Sequence, residues 1–146
     1  MAGARWTSLA DRLHVFALHA ALYRLLGGRL VGRHTLLLTT TGRRSGRPRT
    51  TPLLYVYDGA DLTIIASNGG DDRYPGWWHN VRTDPRVHVQ LGRDVFACDA
   101  TPVSAADAAR LWPAFVGIHR GYDDYRRRTT RELTMLHLTR CPEGTP

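Results

Sequence analysis

Four short segments of this sequence carry the residue types that do chemistry. Gly42-Arg43-Arg44-Ser45-Gly46-Arg47-Pro48-Arg49 places four arginines, two glycines and a hydroxyl within eight positions. Guanidinium forks beside glycine-freed backbone N–H groups are the combination that holds a phosphate or carboxylate. The same composition also suits a solvated basic turn. It is neither a Walker loop nor a nucleophile elbow, so neither NTP hydrolysis nor serine hydrolysis is read from it. Ser67-Asn68-Gly69-Gly70 offers a hydroxyl beside paired glycines, whose missing Cβ atoms let a flat ligand approach, or which simply form a loop. Pro75-Gly76-Trp77-Trp78-His79-Asn80 opens like a helix with proline in its first turn. Its indoles either pack the core or wall a heterocycle whose polar edge His79 and Asn80 would meet. In the run from 119 to 131, Tyr122 and Tyr125 are spaced to share a helical face, as one side of a pocket or as surface anchors.

Other chemistry fails on spacing. His14 and His19 do not share a helical face and no H-E-x-x-H occurs, so no metal site is expected. Cys98 and Cys141 form neither a C-x-x-C nor a zinc pattern and fit a reducing compartment. The Asp71-Asp72 and Asp123-Asp124 pairs read as solvated loop carboxylates rather than a general acid and base. The formal charge is +7, and every one of the 20 basic side chains is arginine. That favours anionic ligands and excludes lysine Schiff-base chemistry. Nucleic acid is not an expected partner, because no recognition-module signature appears.

These residues must be positioned by elements that the pattern also outlines. A chain of 146 residues with 42% hydrophobic and 23% charged residues folds as one domain. Residues 1–33 read as an N-terminal amphipathic helix, apolar at Leu9, Leu13, Phe16 and Ala20 and basic elsewhere. It is too short and too interrupted to span a membrane, and lies over the core or touches an anionic surface. Strands are expected over 34–41, 49–57, 61–67, 86–91, 94–103 and 133–139, the second and third forming a hairpin across Asp58-Gly59. A short helix is expected near 75–82, and a longer one after Ser104 with Asp107 in its first turn. The absence of βαβ alternation excludes a Rossmann fold and favours a small closed or half-open barrel with outer helices over 34–140, followed by a 141–146 tail.

The order LLTTTGRRSGRPRTTPL, ASNGG, PGWWHNVRTDPRV and YDDYRRRTTR closely resembles the deazaflavin-dependent nitroreductase family, over about residues 34–138. The resemblance implies a mainly β (α+β) split β-barrel that binds coenzyme F420. It assigns Arg43, Arg44, Ser45 and Arg49 to the cofactor's phosphate and acidic tail. Thr50, Thr51, Pro52, Leu53 and Leu54, with Ile65, Ala66, Ser67 and Asn68, would lie along the cofactor. Gly76, Trp77, Trp78, His79 and Asn80 would flank the deazaflavin ring. The implied reaction is hydride transfer from F420H2 to a quinone, nitro compound or conjugated enone, with the protein supplying orientation and charge stabilisation. Ser67 is the expected donor to the acceptor, and Tyr122 and Tyr125 the expected catalytic wall. Leu54 and His119, where a prodrug-activating member of the family carries tyrosines, would join these two tyrosines in binding the substrate. Thr134 also departs from the family's usual proline. An FMN-dependent oxidoreductase on the same barrel and a non-catalytic deazaflavin carrier are the alternatives. The expected partners are a small-molecule electron acceptor, the membrane surface through the first helix, and a second copy of the chain. The expected location is the cytoplasm, peripherally on the inner face of the cell membrane.

Overall fold

The computed structural model describes residues 34–142. The N-terminal helix expected before residue 34 and most of the expected tail lie outside the described residues. Seven strands, β1 (Thr35–Thr41), β2 (Pro48–Leu54), β3 (Val56–Asp58), β4 (Asp61–Ile65), β5 (Arg86–Leu91), β6 (Asp94–Pro102) and β7 (Met135–Arg140), form one sheet in the order β2-β1-β5-β6-β7-β4-β3. Every neighbouring pair is antiparallel. Three helices are described, α1 (Gly76–Thr83), α2 (Ala105–Ile118) and α3 (Gly121–Arg128), with a single 3-10 turn at Asn68–Gly70.

The expected six strands become seven because the run 49–57 is divided. Its first part pairs with β1, with Leu38 opposite Thr51 and Leu36 opposite Leu53. Its last residues pair with β4, with Val56 opposite Thr63. Tyr55 lies between them and donates its N–H to the His34 carbonyl at 2.9 Å. Strands adjacent in sequence therefore occupy opposite ends of the sheet order. One residue can link the two ends only if the sheet curls back on itself, and this is the split barrel. Pro52 is consistent with β2 being an edge, where a missing ladder donor costs nothing.

Two cores result from the strand alternation. Leu36, Leu38, Leu62, Ile64, Val87, Val89, Cys98, Leu136 and Leu138 fill the barrel. The opposite face contributes Val56, Ile65 and Met135 to a second cluster, which Leu111 and Phe115 of α2 and Tyr122 of α3 complete. Ser104 caps α2 as expected, its hydroxyl accepting from the Asp107 N–H at 3.1 Å. Arg110 then ties α2 to the β3–β4 turn through a bidentate contact with Asp58 at 3.1 and 3.0 Å, and His137 of β7 meets the same carboxylate at 3.0 Å. The Arg110 hydrogen bonds, with help from His137, hold the Asp58 carboxyl below its usual range.

Candidate functional site

The arginine-rich segment folds into a tight turn. The Gly42 N–H donates to the Arg47 carbonyl and the Gly46 N–H to the Gly42 carbonyl, both at 2.8 Å, while the Ser45 hydroxyl accepts from the Arg47 N–H. A Cβ on Gly42 would stand 2.8 Å from the Ser45 Oγ and 3.0 Å from the Arg47 carbonyl oxygen, so a side chain there would crowd the turn. Ser45 is thus engaged in shaping the turn. Arg43 is engaged as well: its N–H and its Nη1 both donate to Asn80 Oδ1, at 3.1 and 3.0 Å. Buried Asn80 donates in turn to Thr40 Oγ1 at 3.1 Å, fastening α1 and the turn to β1. The side chains of Arg44, Arg47 and Arg49 are exposed and make no hydrogen bond or ion pair among the described residues. They are the cations left for a ligand.

Beyond the turn, the unpaired edge of β2 approaches β4 across the seam of the barrel. β3 covers β4 only as far as Thr63, which leaves Ile64 and Ile65 paired with β7 on one side alone. The stretches expected along the cofactor, 50–54 and 65–68, therefore border one seam from its two sides. Leu53 and Ala66 belong to the barrel core, while Leu54 and Ile65 belong to the helix-side cluster.

The Ser67 loop is held from outside the site. Arg131 donates from Nη1 to the Ala66 carbonyl at 3.0 Å, from Nη2 to the Ser67 carbonyl at 2.9 Å and from Nε to the Asp71 carbonyl at 2.9 Å. Thr129 adds a 2.7 Å hydrogen bond to Asp72. Asn68 has a φ of 45°, and its side chain donates to the Arg73 carbonyl. The paired glycines differ in their surroundings. Gly70 has a φ of +83°, and a Cβ there would lie 2.8 Å from Tyr125 Cα, so this glycine admits helix α3 rather than a ligand. Gly69 faces open space.

The two indoles separate. Trp77 is buried in the barrel core, as the packing alternative held. Trp78 stacks on Tyr74, centroids 3.8 Å apart, and this pair is flanked by Arg82 over Trp78 at 4.7 Å and Arg131 over Tyr74 at 4.3 Å. His79 stands edge-on to Trp78. Tyr122 and Tyr125 share a face of α3, but only partly share a role. Tyr122 is 5% exposed, packed against Trp112, Phe115 and His119, and its burial pushes the phenol up to about 12. A phenol so placed is held neutral within the helix-side core, its ring centroid 5.8 Å from that of Tyr125, its partner in the expected catalytic wall. Tyr125 is half-buried, and its hydroxyl lies 3.1 Å from His119 Nε2. His119 folds over Gly121, where a Cβ would collide with its ring.

Residues 12–140 match the family model for F420H2-dependent quinone reductases. This chain belongs to that family. An F420H2-dependent quinone reductase of Mycobacterium tuberculosis H37Rv is 39% identical over 144 residues, covering 93% of this chain and 97% of the relative. A solved F420-H2 dependent reductase superposes with a TM-score of 0.66 at 32% identity, covering 73% of this chain and 94% of the other. A solved domain-swapped dimer gives 0.67 at 28%, covering 86% and 98%. As a family member the chain is an oxidoreductase of coenzyme F420, and F420 takes precedence over FMN as its cofactor.

The donor set fits that cofactor. Three unpaired guanidiniums in the turn suit its phosphate and acidic tail, and a seam with unpaired strand edges suits its ring. Among the described residues there is no cluster of metal-ligating side chains. No described helix is long and apolar enough to cross a membrane. Arg131, which organises the Ser67 loop, was not among the residues singled out from sequence. It ends the quoted run RRRTTR, where nothing distinguishes it from its exposed neighbours.

Proposed function

We propose that the seam between β2 and β4 is the cofactor groove of this F420H2-dependent quinone reductase, with Ser67 and Tyr125 facing the acceptor. The observation that supports it best is the convergence of 50–54 and 65–68 on one unpaired seam, with uncommitted arginines, Arg44 and Arg49 among them, at the β1–β2 turn. F420H2, when bound, supplies the hydride. Arg44 and Arg49 hold the phosphate and acidic tail, while Arg43 and Ser45 keep the turn in shape. Gly76 to Asn80 flank the ring, with Trp78 set by Tyr74 and Arg82 and Trp77 serving the core behind. Ser67 Oγ donates a hydrogen bond to the acceptor oxygen that gains charge. Tyr125 and His119 close the acceptor side with Leu54, and Tyr122 backs them from the core. A planar quinone is the acceptor class these groups suit; nitro and enone acceptors share its electron-poor character.

The same reading adds two partners. A homodimer is supported by the solved domain-swapped dimer that this chain resembles. Peripheral contact with the inner face of the cell membrane, through the basic helix expected over residues 1–33, completes it. Light scattering checks the first, and sedimentation with anionic vesicles the second.

Fluorescence titration with F420 and, separately, FMN, followed by quinone-dependent oxidation of F420H2, tests the function. F420 preference with turnover supports it. FMN preference, or F420 binding without turnover to any acceptor, would replace it with a flavin enzyme or a carrier.

A further inference from the structure

We infer that Arg131 is a positioning residue for the reductase reaction, fixing the backbone on which Ser67 acts; the inference rests on the proposed groove. Its guanidinium makes five hydrogen bonds, all to carbonyl oxygens: Ala66, Ser67, Asp71, Arg73 and Glu132, at 3.0, 2.9, 2.9, 3.4 and 3.1 Å. No carboxylate lies within salt-bridge range of it among the described residues. Its plane covers Tyr74, which stacks on Trp78 of the segment flanking the groove. One side chain thus links the end of β4, the 3-10 turn and the aromatic stack.

The geometry has a chemical consequence. A trans peptide points its N–H opposite its carbonyl. With the Ala66 and Ser67 carbonyls drawn to Arg131, the N–H groups of Ser67 and Asn68 are turned away from it. The cation also polarises both peptide units, which strengthens those donors. A surface arginine with ordinary carboxylate partners would do neither. The Ser67 carbonyl additionally accepts from the Gly70 N–H at 2.9 Å, so the loop has no slack where its side chain leaves the backbone.

The test uses Arg131→Lys, which keeps the charge without the planar fork, and Arg131→Gln, which keeps two donors without the charge. Amide hydrogen exchange over residues 66–73 is measured on cofactor-free protein. F420 affinity, kcat and the quinone KM are measured separately. Both variants are expected to speed exchange in the loop by about tenfold or more while the barrel strands keep theirs, because only local hydrogen bonds are lost. F420 affinity and kcat are each expected to fall about tenfold, with the quinone KM within about twofold, since α3 is not displaced. Loop exchange equal to wild type would overturn the inference even in a fully active enzyme. So would faster exchange with affinity and kcat unchanged, which would leave Arg131 a scaffold only. Failure of the proposed function reads differently: the wild type itself would then bind no F420, whatever the loop exchange of the variants.

Discussion

At the scale of single residues, the outcome turns on which polar groups are already spent. Of the four arginines in the β1–β2 turn, the Arg43 side chain is consumed by Asn80, while those of Arg44, Arg47 and Arg49 are not. Replacing Arg44 or Arg49 with alanine is expected to leave unfolding unchanged. Each is expected to weaken F420 binding by about tenfold at low salt and to flatten its salt dependence. Titration across ionic strength checks this. Replacing Asn80 with alanine acts otherwise, because it strands Arg43 and the Thr40 hydroxyl at once. A loss of about 2–3 kcal/mol in urea unfolding is expected. Tyr122 gives a pH prediction. Its phenol is raised from 10.0 to about 12 by burial, and the Cys98 thiol from 9.0 to about 12 by the same cause. Both groups stay neutral in the fold while their unfolded counterparts ionise. Stability is therefore full below pH 9 and falls as pH rises from there toward 12. With no lysine in the chain, cysteine and tyrosine titration dominates that window. Tyr122→Phe is expected to move the alkaline midpoint upward, and an unmoved midpoint would count against the burial account. None of these assignments could be read from the sequence, since four arginines and two tyrosines look alike until their partners are known.

At the scale of elements, the strands and helices were legible where hydrophobic alternation and capping chemistry act locally. β5, β6 and the Ser104 cap of α2 stand where the pattern placed them. The break at Tyr55 was not visible, because 49–57 is continuously strand-forming and its division is imposed by two different partners, β1 and β4. Pro52 was the available signal that the first half is an edge. The constraint on Gly70 was not visible for a similar reason: it comes from α3, 55 residues later in sequence. Gly70→Ala is therefore expected to destabilise the fold by about 1–3 kcal/mol, through the positive φ and the clash with Tyr125. It should raise the quinone KM more than it weakens F420 affinity. Gly69→Ala, with open space around it, should cost less, and thermal unfolding of the pair measures the difference.

At the scale of the whole molecule, the curled sheet brings together what the chain keeps apart. Residues 50–54 and 65–68 lie on different hairpins, yet border one seam because β2 and β3 sit at opposite ends of the sheet order. The motif string carried the family and the cofactor. Closure of the barrel at one residue, and the arginine that stiffens the loop beside it, became visible only with the coordinates. The seam as cofactor groove is tested most directly by amide hydrogen exchange of the wild-type chain with and without saturating F420. Protection confined to 43–54 and 65–80, with β5 and β6 unchanged, is the predicted result. Protection elsewhere, for instance over the shallow concavity of about 500 Å³ lined by Trp112, Val116 and Arg120 on the outer side of α2, would contradict it.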